Sequence, residues 1–332
     1  MTSRQKVSVA VTIALAAVMA LAVVWAQASP HSPGSDAPGA AALLDPQSSE
    51  VDWSTQQTAG RITPAPRDAE KDRPAFYDNG SGCQIGDGDA VPKICAAGDR
   101  DARRTLMLVG DSKIAQWQTA FSHLGERAGW RVLSSTKKAC PFTDAAITGG
   151  DKVRDDCRQW GRYTMQDILR LRPDVVITSQ RFDTALPVGT SHGEDRTTGA
   201  MVAGLRSFWK QIQQAGMPVV VMLDNPFPST HPVDECVAAH LDELSACAFA
   251  LAPGQQESAA PVLREAARGV PGVEIIDMTP TICPDDGMCP AVIGDVLVYR
   301  AGSHLTKTFT VSAERQLSRE LAEATHGRFA ER

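Results

Sequence analysis

Between residues 105 and 277 the chain alternates short apolar runs with longer segments whose apolar residues recur every three or four positions. The runs are Thr-Leu-Met-Leu-Val (105–109), Arg-Val-Leu-Ser-Ser-Thr (131–136), Pro-Asp-Val-Val-Ile-Thr-Ser (173–179), Pro-Val-Val-Val-Met-Leu (218–223) and Gly-Val-Glu-Ile-Ile-Asp (272–277). Runs this short and this apolar fit strands buried on both faces, and strands that alternate with helices pair in parallel. The first helix is predicted from Ile114, with Trp117, Phe121, Leu124 and Ala128 on one face. Further helices are predicted over 163–171, 201–215, 261–268 and 307–325, with Gly216 just past the end of the second of these. The fold class is α/β: a three-layer α/β/α arrangement around a five-stranded parallel sheet, flavodoxin-like. No internal repeat and no second core pattern is present.

Ahead of this domain, residues 7–26 are uncharged and mostly apolar and follow Arg4 and Lys6. That length spans a bilayer as a helix. The stretch ends in Ala26-Gln27-Ala28, the small-residue pattern of a signal-peptidase site. Residues 1–28 are therefore a signal anchor or, if cut after Ala28, a signal peptide. No further basic residue occurs until Arg61, which puts the bulk of the chain outside the cytoplasm. Residues 29–75 are rich in Pro, Ala and Ser and lack periodicity, which reads as a disordered linker, and 76–328 as the folded domain. The net charge of −6, with no basic cluster interleaved with aromatics, argues against nucleic acid as a partner.

Eight cysteines in an exported chain point to disulfides. Pairing nearest neighbours gives Cys83 with Cys95, Cys140 with Cys157, Cys236 with Cys247, and Cys283 with Cys289, one of many possible connectivities. None has the spacing of a zinc knuckle. Gly86-Asp87-Gly88-Asp89, between the first two cysteines, has too few ligands for calcium and reads as a solvated turn. No cofactor or metal is expected.

The first strand breaks at Gly110 and delivers Asp111 and Ser112 where a helix begins. Asp and Ser are ordinary N-cap residues, so the tripeptide alone is weak evidence. Yet a serine at this junction sits beside helix N–H groups that lack intrahelical partners and can bind a developing oxyanion. Such a serine needs a base, for which histidine is the usual choice. Of seven histidines, His31 lies in the linker, His326 in the tail and His123 on a polar helix face, while His192, His231 and His240 have no partner motif. His304 lies in a loop after the fifth strand, which opens at the same sheet edge as Ser112. Lys137 and Lys138 end the second strand at that edge, where α/β folds place ligand loops; adjacent lysines more often mark a solvated face.

These blocks resemble the SGNH (GDSL-like) hydrolase superfamily, and most closely the extracytoplasmic SGNH domain associated with acyltransferase-3 membrane proteins that O-acetylate cell-envelope polysaccharides. The resemblance rests on Leu-Val-Gly-Asp-Ser (108–112), Lys-Lys-Ala-Cys-Pro (137–141), Cys-Arg-Gln-Trp (157–160), Ile-Asp-Met-Thr-Pro (276–280), Cys283-Pro284, Cys289-Pro290, Val-Tyr-Arg (298–300) and His-Leu-Thr (304–306), over roughly residues 80 to 325. It implies Ser112 as nucleophile, His304 as base, and the N–H of Ser112 within the oxyanion hole beside Gly110 and Asp111. Two positions depart from the family pattern. Three residues before the histidine, where the family has Asp, stands Ala301, leaving a backbone carbonyl or a carboxylate such as Asp295 to orient the imidazole. Where wider SGNH enzymes supply an oxyanion Asn after the third strand, this chain has Gln180 and Arg181, either of which is a candidate donor.

The resemblance implies acyl transfer outside the cytoplasm: O-acetylation or deacetylation of an envelope polysaccharide or peptidoglycan-type glycan through an acyl-Ser112. A transferase would draw its acyl group from a separate multi-span membrane acyltransferase. The alternative, which Ala301 motivates, is a catalytically impaired module that binds glycan or supports such a partner.

Overall fold

The computed structural model describes residues 37–48, 51–77, 82–150, 152–192, 195–228, 232–285 and 287–329. The expected membrane segment at 7–26 lies outside them, and among the described residues no helix is long and apolar enough to cross a membrane.

The five expected strands are all present: β1 (Arg104–Gly110), β2 (Trp130–Lys137), β3 (Val175–Ser179), β4 (Val219–Met222) and β5 (Val273–Ile276). They pair in parallel in the order β2-β1-β3-β4-β5. The order reverses between β1 and β3, so the loops leaving these strands diverge there and open a crevice at their C-terminal ends. Two short pieces extend the sheet to seven strands along the outer edge of β2: Gln84–Ile85, parallel, and Cys95–Gly98, antiparallel. Neither has enough residues to show a strand period, which is why the sequence pattern misses them.

The period of two along β1 divides the interior into two cores. Leu106 and Leu108 face α2 (Gln118–Ala128), which brings Phe121 and Leu124, and α7 (Glu314–Ala324), which brings Leu317 and Leu321. Met107 and Val109 face α3 (Asp155–Leu171) with Trp160 and Ile168, α4 (Thr198–Gln214) with Phe208 and Trp209, and α5 (Ala260–Arg268) with Leu263. The short helices α1 (Ser112–Ala115) and α6 (Lys307–Ser312) stand at the C-terminal edge of the sheet. The expected helix over 307–325 is thus broken at Ala313, and α3 begins at Asp155 rather than Tyr163. All four nearest-neighbour disulfides are formed.

The linker reading fails from Ala37 onward. This stretch is a strap of 3₁₀ turns at Gly39–Leu44, Pro46–Ser48, Trp53–Thr55, Pro66–Lys71 and Ala75–Tyr77. Ala40 and Ala69 are fully buried in the first core. The strap is stitched to the domain by Gly39 N–H to Gly294 O (2.9 Å), Leu297 N–H to Thr63 O (3.0 Å) and Lys307 N–H to Asp72 O (2.9 Å). Pro-rich segments lack a helical or strand period, but their backbone groups are free to pair with a surface already folded, and that pairing orders this one.

Candidate active site

Gly110 is required by the close approach of two strands. Its φ is +146°, and a β-carbon there would meet Ser179 O at 2.1 Å. The next residue, Asp111, is fully buried; one carboxylate oxygen accepts the Lys113 N–H at 2.9 Å and the other the Arg181 N–H at 2.8 Å. Burial lifts its pKa to about 6 against the pull of those two bonds. Asp111 therefore caps α1 and ties it to the loop leaving β3, and Ser112 opens the helix.

His304 sits on a hairpin in which Tyr299–Arg300 pairs with His304–Leu305, turned by Ala301 and Gly302, both at positive φ. Its Nε2 lies 2.8 Å from Ser112 Oγ, and its Nδ1 lies 3.3 Å from Ala301 O. A carbonyl only accepts, so Nδ1 carries the proton, and Nε2 presents its lone pair to the serine hydroxyl. The pKa of His304 is pushed down to about 3, first by burial and then by the positive charges of Lys113 and Arg300. The imidazole is a neutral base in the tautomer that general-base chemistry requires.

The Ala301 carbonyl stands where the triad carboxylate would act. Asp295, the other candidate, accepts the Gly60 N–H at 3.0 Å and serves the strap instead. What fixes His304 is a grip on its neighbours in the chain. Ser303 O accepts from Lys113 Nζ (2.7 Å) and Asn225 Nδ2 (2.9 Å), Leu305 N–H donates to Gln116 Oε1 (2.9 Å), and Arg300 Nε donates to Leu305 O (3.1 Å). Lys113 and Asp224, both buried, form an ion pair at 2.9 Å. Asn225 Oδ1 closes the network by accepting from Gln116 Nε2 at 3.0 Å. Lys113, Gln116, Asp224 and Asn225 carry no motif of their own. The available signal was a lysine directly after the serine, inside an otherwise apolar helix face, with Asp-Asn at the end of β4.

Both expected oxyanion side chains are engaged with other partners. Gln180 Nε2 donates to Phe182 O (2.6 Å), and its buried Oε1 has no partner among the described residues. The Arg181 guanidinium stacks 4.6 Å from the centre of the Phe227 ring and donates to Glu257 O. Lys137 is no ligand either: it is fully buried, paired with Asp156 at 3.0 Å, and donates to Gly86 O and Asp89 O. Lys138 pairs with Asp87 at the surface. Among the other histidines, His123 pairs with Glu314 at 2.6 Å, and His240 contacts Cys236 O.

A cleft of about 610 Å³ is lined by Tyr77, Gln84, Asp89 and Lys93, and its lining includes neither Ser112 nor His304. Gln84 is in register with Thr136 and Thr136 with Gly110, so this wall stands two strand spacings, roughly 10 Å, from the serine turn. The loop forming it is pinned by the Cys83–Cys95 bridge and by Lys137. A larger cavity of about 690 Å³, between Arg158, Arg162, Leu186 and Ala200, includes neither Ser112 nor His304.

A doubly covered parallel sheet with a Gly-Asp-Ser turn and a hairpin histidine at its C-terminal edge defines an SGNH-type fold. The sequence matches the family described as "SGNH domain (fused to AT3 domains)" over residues 82–318, and the chain belongs to that family. Its fold is similar to the periplasmic domain of a lipopolysaccharide acetyltransferase from Salmonella ser. Paratyphi A, at 15% identity over 73% of this chain and 87% of that one, with a TM-score of 0.50. Weaker similarity links it to a putative acylhydrolase from Bacteroides fragilis (10% identity, 69% and 91% covered, TM-score 0.38) and to a catalytic mutant of an acetylxylan esterase from Geobacillus stearothermophilus (12% identity, 70% and 99% covered, TM-score 0.39). No curated protein matches the sequence.

Proposed function

We propose that this chain transfers a short acyl group, acetyl or similar, through Ser112 to a hydroxyl of a cell-envelope glycan, or to water. The observation that carries the reading is the 2.8 Å contact between Ser112 Oγ and a His304 whose tautomer is set by the Ala301 carbonyl. Nε2 takes the hydroxyl proton as Oγ attacks the acyl carbonyl, and the N–H of Ser112 faces the tetrahedral oxyanion. Collapse expels the donor alcohol with that proton and leaves acyl-Ser112. His304 then deprotonates the accepting hydroxyl, which takes the acyl group and frees the serine. The family, whose description names fusion to AT3 domains, supports a membrane acyltransferase as the acyl source. Four disulfides support an oxidising, extracytoplasmic location, and residues 7–26 are the proposed anchor.

The test follows hydrolysis of an activated acetyl ester and covalent labelling by a serine-directed fluorophosphonate. Unmodified protein is expected to turn over slowly and take one label, and Ser112→Ala to do neither. Equal rates in the two proteins with no adduct in either would sink the enzyme. Ala301 would then favour the second reading, a glycan-binding module that supports a membrane partner.

A further inference from the structure

Tyr77 is the last residue of the strap and precedes the span that the family match covers. Its hydroxyl donates to Ser112 O at 2.8 Å, adding a second bond to a carbonyl that already accepts the Gln116 N–H at 3.0 Å. This pins the peptide that follows the nucleophile. The ring of the same residue lies 5.5 Å from the Arg300 guanidinium. Arg300 is the cross-strand partner of His304 and holds the hairpin through Leu305 O. It is 5% exposed, and its Nη2 has no hydrogen-bond partner among the described residues. The aromatic face therefore gives the buried cation a contact of its own, beside the favourable charge of Asp72. Burial raises the Tyr77 pKa, so the phenol stays a donor across any working pH. Asp72, five residues upstream, secures the strap at the far side of the hairpin by accepting the Thr308 N–H at 2.8 Å.

We propose that Tyr77 is a positioning residue of the Ser112–His304 pair, one phenol that holds the nucleophile's peptide directly and the base's hairpin through Arg300. The inference rests on the acyl-transfer reading of that pair. It also gives the strap a role: the segment that would connect the domain to the membrane completes the site.

The test uses the full chain and the fluorophosphonate, reading both the labelling rate and the end-point in labels per chain. Tyr77→Phe keeps the ring on Arg300 and removes only the hydroxyl. It is expected to slow labelling roughly 5- to 10-fold, the effect of one hydrogen bond, at an unchanged end-point. Tyr77→Leu removes both contacts and is expected to slow labelling further. Its effect should be less than multiplicative with that of Arg300→Lys, since both act through one contact. A merely structural role would lower the end-point and the melting temperature while leaving the rate of the surviving molecules unchanged. Tyr77→Phe labelling at the unmodified rate overturns the proposal, and multiplicative effects of Tyr77→Leu and Arg300→Lys overturn its Arg300 half. If Tyr77→Phe yields no folded chain, the Arg300→Lys rate decides, and labelling at the unmodified rate counts against the proposal. Labelling of Ser112→Ala at full rate would instead remove the acyl-transfer reading itself, so the two failures are distinguishable.

Discussion

At the scale of single residues, the question is what a serine–histidine pair can do without a carboxylate. In serine proteases the triad Asp both holds the imidazole tautomer and stabilises the imidazolium, and replacing it by Asn slows turnover about 10⁴-fold by imposing the wrong tautomer. Here the Ala301 carbonyl sets the tautomer but contributes only a dipole, and Lys113 and Arg300 oppose a positive ring. Because the pKa of His304 lies near 3, labelling by fluorophosphonate should stay level through the range around pH 6.5 where an ordinary histidine titrates, and fall only in stronger acid. Stability follows the same sign. The unfolded chain binds a proton at His304 that the folded chain refuses, so this contribution is intact above about pH 6.5 and is lost as the pH falls toward the folded value. Ala301→Asp should raise the pKa, move the acid limb of the rate profile upward and increase turnover by roughly tenfold or more. The backbone favours the change, since Ala301 has φ +34° and Asp tolerates positive φ better than Ala does. No upward shift of the acid limb in a pH–rate series would refute this account of the missing acid. Ser112 and His304 were legible because each stands at a break in a pattern. Lys113, Gln116 and Asn225 were not, because a buried polar group is recognised by its partners, which come from three separate segments.

At the scale of elements, the site depends on two tight turns. The β1–α1 turn works only because Gly110 lets β1 and β3 approach at the point where the serine emerges. Gly110→Ala should cost about 3 kcal/mol or more, read as a shift in the urea midpoint, because the clashing atom is backbone and has nowhere to move. A midpoint within experimental error of the unmodified protein would contradict the geometry. The second turn, the hairpin over Tyr299–Leu305, appears in the sequence only as a loop, since two-residue strands have no period to read. The five main strands were legible for the opposite reason: each carries an apolar run, continuous in β1, β3 and β4, and stands apart from its neighbours by a helix.

At the scale of the whole molecule, the strap turns an apparent tether into part of the domain. A chain beginning at residue 78 would uncover the surface now packed by Ala40, Ala69, Trp53 and Ile62 and would lose Tyr77. Such a truncation should lower stability by about 3 kcal/mol or more, roughly 6–12 °C in melting temperature, and slow labelling at least as much as Tyr77→Leu. Unchanged melting and labelling would return residues 37–77 to the status of a linker. The sequence by itself determined the doubly covered parallel sheet, singled out Ser112 and His304 as the candidate pair, and offered the nearest-neighbour disulfides as one of many connectivities. Those follow from local period, short loop closures and residue type at strand ends, which act over a few residues of chain. Only the tertiary structure decided that a carbonyl orients His304, that Gln180 and Arg181 are engaged elsewhere, and that the proline-rich stretch folds back to touch the site. The Ala301–His304 and Gln180–Phe182 bonds span only three and two residues, but the turns that make them are held by Gln116 and Asp111 from 70 or more positions away, and Tyr77 reaches Ser112 across 35; no local pattern in the chain encodes which distant surface will be there to meet them.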